Sequence, residues 1–322
     1  MTVRPSRRAA RPAAPRPSGV PAAGLLPAEE APARLRVGVV GAGRVGAVLG
    51  AALAAAGHDV VAASGLSAAS SERAARLLPG VPLLPADEVV AASDLVVLAV
   101  PDDILAGLAE TGAWRRGQLP FHTSGAHGLT VLAPAERAGV LSLALHPAMT
   151  FSGGPEDLHR VVAAPFGVTS RPEHRPVAET LVLEMGGEPF WVAEADRGLY
   201  HAALVTGANH LVTLVAEAAD LLRTAGVADP ARVLTPLLTA ALDNGLRRGD
   251  RGLTGPVSRG DVGTVAQHLQ TLTERAPSAV DAYVALARRT TERALAAGRL
   301  KRHEGAPLLD LLYDAADTAS SR

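Results

Sequence analysis

The fold class this sequence predicts is α/β, with a doubly wound, mostly parallel sheet followed by an all-helical domain. Three observations carry that expectation. An apolar strand, RLRVGVV at 34–40, turns at once into the glycine loop GAGRVG. Short apolar runs then alternate with helical stretches as far as about Ala193, as a parallel sheet with covering helices requires. Beyond that point helical periodicity dominates to the end. With 322 residues the chain suits two domains, and a hydrophobic share of 48% suffices for packed cores. Aromatics supply only 3%, so Ala, Val and Leu must fill those cores. The expected organisation is a tail at 1–33, an α/β domain at 34–193 and a helical domain at 194–322.

Composition narrows the classes of function. There are 31 basic and 32 acidic residues, for a net charge of −1. A nucleic-acid binder needs a basic surface for its phosphate contacts, so that class is not expected. The chain has no cysteine, which removes disulfides, thiolate nucleophiles and cysteine-ligated zinc. No uninterrupted apolar run approaches the roughly 20 residues that cross a bilayer, and no membrane partner is expected. Lys301 is the only lysine, so a Schiff-base lysine would have to lie near the C-terminus. The first 33 residues are rich in Pro, Ala and Arg without hydrophobic periodicity, which predicts disorder. The arginines at 4, 7, 8, 11 and 16 raise the question of an export signal. The apolar stretch from Gly19 to Leu26 is broken by Pro21 and followed by Pro27, which makes it a poor signal core. A cytoplasmic protein is the expectation.

Gly41, Gly43 and Gly46 occupy the G-x-G-x-x-G positions between a strand and an Ala-rich helix from about Arg44 to Ala56, with Gly57 expected as its C-cap. A second strand is expected at His58 to Ala63. This strand–loop–helix–strand context is what makes a glycine pattern meaningful in a chain with 32 glycines. It predicts a Rossmann-type dinucleotide site, in which the glycines give a tight turn, close approach of a pyrophosphate and close helix–strand packing. The helix N-terminus offers free N–H groups to the phosphates. Gly41, Ala42, Gly43, Arg44, Val45 and Gly46 are therefore candidate cofactor residues. NAD-binding versions usually place an acid about 20 residues on, to hold the ribose 2′-hydroxyl. Here Ala63, Ser64, Gly65 and Ser67 follow, with no acid before Glu72. Ser64 and Ser67 can donate to a 2′-phosphate and Arg73 can reach it from the next helix, so NADP(H) is favoured over NAD(H).

A third strand at Asp94 to Val100 ends on Pro101, Asp102 and Asp103, and Val100 and Pro101 join the cofactor candidates. Further strands are expected at Gln118 to Thr123, Val140 to Leu145, Val161 to Val168 and Glu188 to Val192. Ligands of open α/β sheets bind beyond the carboxyl ends of the strands. Two such ends carry reactive groups, His122-Thr123-Ser124-Gly125-Ala126-His127 and His146-Pro147-Ala148-Met149-Thr150-Phe151. A strand-end histidine can donate a proton near neutral pH. His122 and His146 are candidate catalytic residues, Ser124 a candidate at the nicotinamide side, and His127 a loop residue. No grouping of histidines argues for a metal.

Helices are expected at Arg197–Ala225, Ala231–Arg247, Val262–Glu274, Ala279–Gly298 and Ala306–Ala316. The first contains YHAALVTGANH at 200–210, where His201 and Asn209 lie about 80° apart around a helix and can share a face. Asn209 must satisfy its amide in packing or with a ligand. In LTGPVSRGD at 253–261, Asp261 is placed to cap a helix and Arg259 to clamp a substrate carboxylate.

Taken in order, GAGRVG, AVPDD, HTSGAHG, LHPAMTF, YHAALVTGAN and LTGPVSRGD resemble a two-domain family, Rossmann-like with domain of unknown function 2520. The resemblance runs from about Arg34 to the C-terminus. LTGPVSRGD and HTSG are its specific parts. It implies membership of the wider group of 6-phosphogluconate dehydrogenase, pyrroline-5-carboxylate reductase and prephenate dehydrogenase, with hydride transfer from a nicotinamide and homodimers through the helical domain. The 6-phosphogluconate and hydroxyacid enzymes place a catalytic Lys four residues before a helical Asn. Val205 stands there in this chain, so that mechanism does not transfer. Gene neighbourhood in the family implies 2-dehydropantoate, in pantothenate synthesis. The expected function is an NADPH-dependent reductase of a small carboxylate-bearing ketone. In it His146 or His201 supplies the proton, His122 and Ser124 line the nicotinamide side, and Asn209 and Arg259 orient the substrate. The alternatives are an imine reductase of the pyrroline-5-carboxylate type, a prephenate-type dehydrogenase, or a non-catalytic NADP(H)-binding sensor or scaffold.

Overall fold

A computed structural model of the chain describes residues 34–320, and the expected tail at 1–33 lies outside them. The chain divides into two compact units between Arg197 and Gly198.

The first unit is built on one seven-stranded sheet in the order β2-β1-β3-β4-β5-β6-β7. Its strands are β1 (Arg36–Val40), β2 (Asp59–Ser64), β3 (Leu95–Leu98), β4 (Leu119–His122), β5 (Leu143–Pro147), β6 (Pro165–Thr169) and β7 (Glu188–Trp191). All neighbours pair in parallel except β5 and β6, where Ala144 faces Thr169 and Pro147 faces Phe166. Seven helices accompany it: α1 (Arg44–Ala55), α2 (Ala68–Leu77), α3 (Ala86–Ala92), α4 (Asp102–Thr111), α5 (Ala133–Glu136), α6 (Glu156–Val161) and α7 (Arg175–Glu184). Alternate strand residues face opposite layers. Val37, Val39, Leu95, Val97, Phe121, Leu143 and Leu145 pack with α1 and α7 in one core. Val40, Val96 and Leu98 pack with α3 and α4 in the other. The central strands are apolar on both sides because both sides are covered.

Three expectations need correction. Gly57 is not the cap of α1; Ala56 is. Gly57 sits one place beyond, its N–H donating to the Ala54 carbonyl while His58 N–H donates to that of Leu53, the paired bonds that close a helix end. The fifth strand begins three residues later than expected and ends two later, so His146 lies within β5 rather than after it. The run from Val161 to Ala164 is not strand. Val161 ends α6 and Ala163 turns at φ 62, its N–H donating to the Gly186 carbonyl. A short apolar run does not distinguish a buried helix end from a strand.

The second unit is helical: α8 (Arg197–Thr224, begun in the first unit), α9 (Pro230–Arg248), α10 (Val262–Arg275), α11 (Val280–Ala296) and α12 (Arg302–Ser320). Its core is small, with Val265, Leu269, Val284, Ala287, Leu308 and Leu312 buried. Asp261 caps α10 as expected, Oδ1 accepting from Thr264 N–H at 3.0 Å. The expectation drawn from apolar runs misses one helix, Glu194–Thr224, that is long and apolar enough to cross a membrane by length and composition, with a mean hydropathy of 1.3 over an 18-residue window in which no residue is buried. Its Ala, Val and Leu outweigh interspersed His, Thr and Asn, so the average is high although no uninterrupted run exists.

Candidate functional site: a cleft at the end of the sheet

The strand order reverses at β1, with β2 on one side and β3 on the other, and such switch points open a crevice at the carboxyl ends. A cleft of about 630 Å³ lies there, lined by Gly41, Ala42 and Gly43 after β1, Ser64 to Ser67 after β2, and Ala99 to Pro101 after β3. The three motif glycines have distinct reasons. Gly41 has φ +93, and a side chain on it would meet the Ala99 carbonyl at 2.5 Å. One on Gly46 would collide with the Gly41 carbonyl. A side chain on Gly43 would meet only the Gly41 carbonyl, at 3.9 Å, so protein packing does not demand its absence. Gly43 is the N-cap of α1, and neither a side-chain cap nor a first-turn acid occupies that helix end. Free N–H groups beside an empty Cβ position fit a pyrophosphate drawn against the backbone, so these residues suit a nicotinamide dinucleotide.

Of the residues expected to touch the cofactor, Gly41, Ala42, Gly43, Ser64, Ser67, Val100 and Pro101 line this cleft. Arg44, Val45 and Gly46 continue into α1 beside it. The two serines also have structural tasks. Ser64 Oγ accepts from Gly41 N–H at 3.0 Å, and the Ser64 carbonyl accepts from Ala42 N–H at 2.6 Å, tying β2 to the glycine loop. Ser67 caps α2, where it accepts from Ser70 N–H at 3.2 Å. The apolar wall was not foreseen from the sequence. Leu66, Leu83, Leu84, Pro85, Ile104 and Leu108 form it. The VPLLP stretch held a weak signal, but its place depends on a long-range bond from Leu84 N–H to the Ala63 carbonyl, 2.9 Å.

The strand-end histidines differ. His122 is wholly buried. Burial drives its imidazole down to about 4, and the nearby Arg197 charge adds to this while the Gly128 carbonyl opposes it. The neutral ring donates Nε2–H to that carbonyl at 2.8 Å. Its Nδ1 is buried with no partner among the described residues. Ser124, the candidate beside it, is nearly buried, and its Oγ accepts from Ala126 N–H and His127 N–H at 3.2 and 3.1 Å, shaping the loop. His146 is half-buried on β5, opposite Gly167. Sequence reading missed Arg197, which is 1% exposed. Its guanidinium donates to Thr169 Oγ1 at 2.7 Å and to the Ala144 and Gly167 carbonyls at 3.0 Å each, with a longer contact to that of Ser124. It thereby joins the ends of β4, β5 and β6. Nothing local in the sequence separates it from a solvated helix arginine.

Within the second unit, His201 is half-buried on α8, and Asn209 is exposed on the same helix. Arg259 is exposed at the end of the short turn Val257–Arg259. Among the described residues no group of three or more His, Asp or Glu side chains is placed to hold a metal.

Comparison with known proteins places this architecture. No curated protein matches the sequence. A candidate NADP oxidoreductase from Bacteroides fragilis superposes with a TM-score of 0.67 at 22% identity, over 80% of this chain and 98% of that one. A reductive aminase from Aspergillus terreus, solved with NADPH and ethyl levulinate, gives 0.55 at 18%, over 89% and 95%. A 1-pyrroline-5-carboxylate reductase from Streptococcus pyogenes gives 0.54 at 15%, over 79% and 98%. At these identities the likeness is one of fold. The sequence itself matches two family models, that of a Rossmann-like domain over residues 24–147 and that of a domain of unknown function, DUF2520, over residues 164–290.

Proposed function

We propose that the protein is an NADPH-dependent oxidoreductase that reduces a small carboxylate-bearing ketone. The observation that carries this reading is the cleft at the β1 switch point, where the uncapped N-terminus of α1 meets a glycine whose missing side chain serves no packing need. The nicotinamide would supply the hydride, and this chain must then deliver a proton and hold a carboxylate. His146 is the proton donor in this reading, since His122 is buried and neutral; His201 of the helical unit is the alternative. Asn209 and Arg259 orient the substrate. The acid-free end of β2 supports a preference for the 2′-phosphorylated nucleotide.

The substrate we favour is 2-dehydropantoate, on the family resemblance. The similar folds of a reductive aminase and a pyrroline-5-carboxylate reductase support a second reading, reduction of C=N. A homodimer through the helical unit is part of the proposal, supported by the exposed apolar side chains of α8: Leu199, Val212 and Leu214 are 75%, 70% and 42% exposed.

The test is NADPH absorbance loss with 2-dehydropantoate and with pyrroline-5-carboxylate, and NADP⁺ reduction with prephenate. Turnover of 2-dehydropantoate is expected. It should fall by about 10²–10⁴ in His146→Ala with NADPH binding retained. Arg259→Ala should raise KM more than it lowers kcat. Activity with pyrroline-5-carboxylate alone moves the reaction to C=N. Tight NADPH binding with no turnover of all three replaces the enzyme by a sensor.

A further inference from the structure

Three arginines gather beside the cleft around one residue of the loop that follows β5. A side chain on Gly153 would lie 2.6 Å from Arg73 Nε and 2.8 Å from Arg44 Cγ. Both long side chains therefore rest on this buried glycine. The Gly153 carbonyl accepts from the Arg76 guanidinium at 2.9 Å. Its N–H donates to Asp157 Oδ2 at 2.7 Å, and Asp157 is wholly buried. The loop is thus pinned from behind by a carboxylate while its front carries the arginines. Gly153 has φ +82, a conformation that favours glycine, and the lack of a side chain lets the two stems close over it.

The arginines are placed as a ligand would need them. Arg44 opens α1 directly after Gly43, and Arg73 lies one turn beyond Ser70 on α2; Gly43 and Ser70 both line the cleft. Among the described residues none of Arg44, Arg73 and Arg76 pairs with a carboxylate. Elsewhere in the chain several arginines do find a nearby acid, as Arg115 does with Asp94 and Arg171 with Glu136. Cations held side by side without a carboxylate are an arrangement that a dianionic phosphate monoester completes, because guanidinium N–H groups match its oxygens in pairs.

We propose that Gly153 and Arg76 are specificity-determining positioning residues, which hold Arg44 and Arg73 as a two-armed clamp for a phosphate on the adenosine ribose. This rests on the nucleotide reading above and adds to it that preference for NADPH over NADH is set by the loop after β5. That loop continues from the strand that carries His146, so phosphate recognition and the reacting end share one segment.

The experiment is fluorescence titration of the full chain with NADPH, NADH and adenosine 2′,5′-bisphosphate, for the natural protein, Gly153→Ala and Arg76→Met. Gly153→Ala should weaken NADPH and the bisphosphate by about fivefold or more while NADH changes less than about twofold. Arg76→Met, at an exposed residue whose loss should not threaten folding, should shift the ratio in the same direction by about threefold. An unchanged NADPH-to-NADH ratio in both variants, or a parallel loss of both nucleotides, overturns the role of the loop while the nucleotide reading stands. A natural protein that binds neither NADPH nor NADH overturns the nucleotide reading, and this inference with it.

Discussion

The sheet-bearing unit buries its apolar side chains in two layers, one on each face of seven strands, whereas the helical unit closes a smaller core around Val265, Leu308 and Leu312 and leaves apolar side chains of α8 exposed. The contrast lies in where partners for apolar surface come from. In the first unit every central strand finds helices from the same chain. In the second, Leu199 and Val212 stay 75% and 70% exposed, and the second copy proposed above would cover them.

Aspartate substitution gives the largest expected contrast. Val97→Asp places an unpaired charge in the fully buried centre of β3 and should cost more than about 4 kcal/mol, abolishing cooperative thermal unfolding by circular dichroism. Val212→Asp on α8 should leave the fold within about 0.5 kcal/mol of the natural chain and instead move the sedimentation profile from dimer toward monomer. If both unfold the protein alike, the contrast between the units is lost.

A pH titration comes next in size. The folded imidazole of His122 sits at about 4, below its ordinary 6.5, so between these values the unfolded chain binds more protons. The stability this contributes is fully present above pH 6.5 and is lost as pH falls toward 4, about 3 kcal/mol in all. The urea midpoint should drop between pH 7 and pH 5, and His122→Gln should flatten that dependence. An unaltered slope in the variant would place the titrating group elsewhere.

Gly43→Ala separates binding from folding inside the sheet unit. The backbone at Gly43 is extended with φ −74, so alanine fits, and thermal stability should hold while NADPH affinity falls about tenfold, or 1.4 kcal/mol. Unchanged affinity would take the pyrophosphate away from this turn. The smallest effect tests whether local rules ignore the contrast altogether. Ser67→Ala at α2 and Asp229→Ala at α9 each remove a side chain that accepts from a helix N–H, and each should cost about 1 kcal/mol, read as a few degrees in Tm. A cost confined to one unit would mean that helix capping depends on the surrounding core.

Local features of the sequence determined much of this protein. The strand–glycine loop–helix unit was legible from Arg34 to Gly57 because hydrophobic period and glycine spacing act over a few residues. The five long helices were legible for the same reason, as was the Asp261 cap. Tertiary structure decided the rest. His122 and His146 both end apolar strands and read alike, yet one is buried and neutral and the other half-exposed. The difference comes from what the sheet order brings beside each of them. Arg197 became a buried tie between three strands only because β6 runs antiparallel to β5. Leu83 and Leu84 became a cleft wall through a bond to a strand some 20 residues earlier. The three arginines around Gly153 come from two helices, and Gly153 itself from a loop nearly 80 residues further on, so their convergence exists only in three dimensions, where desolvation and charge act across space rather than along the chain.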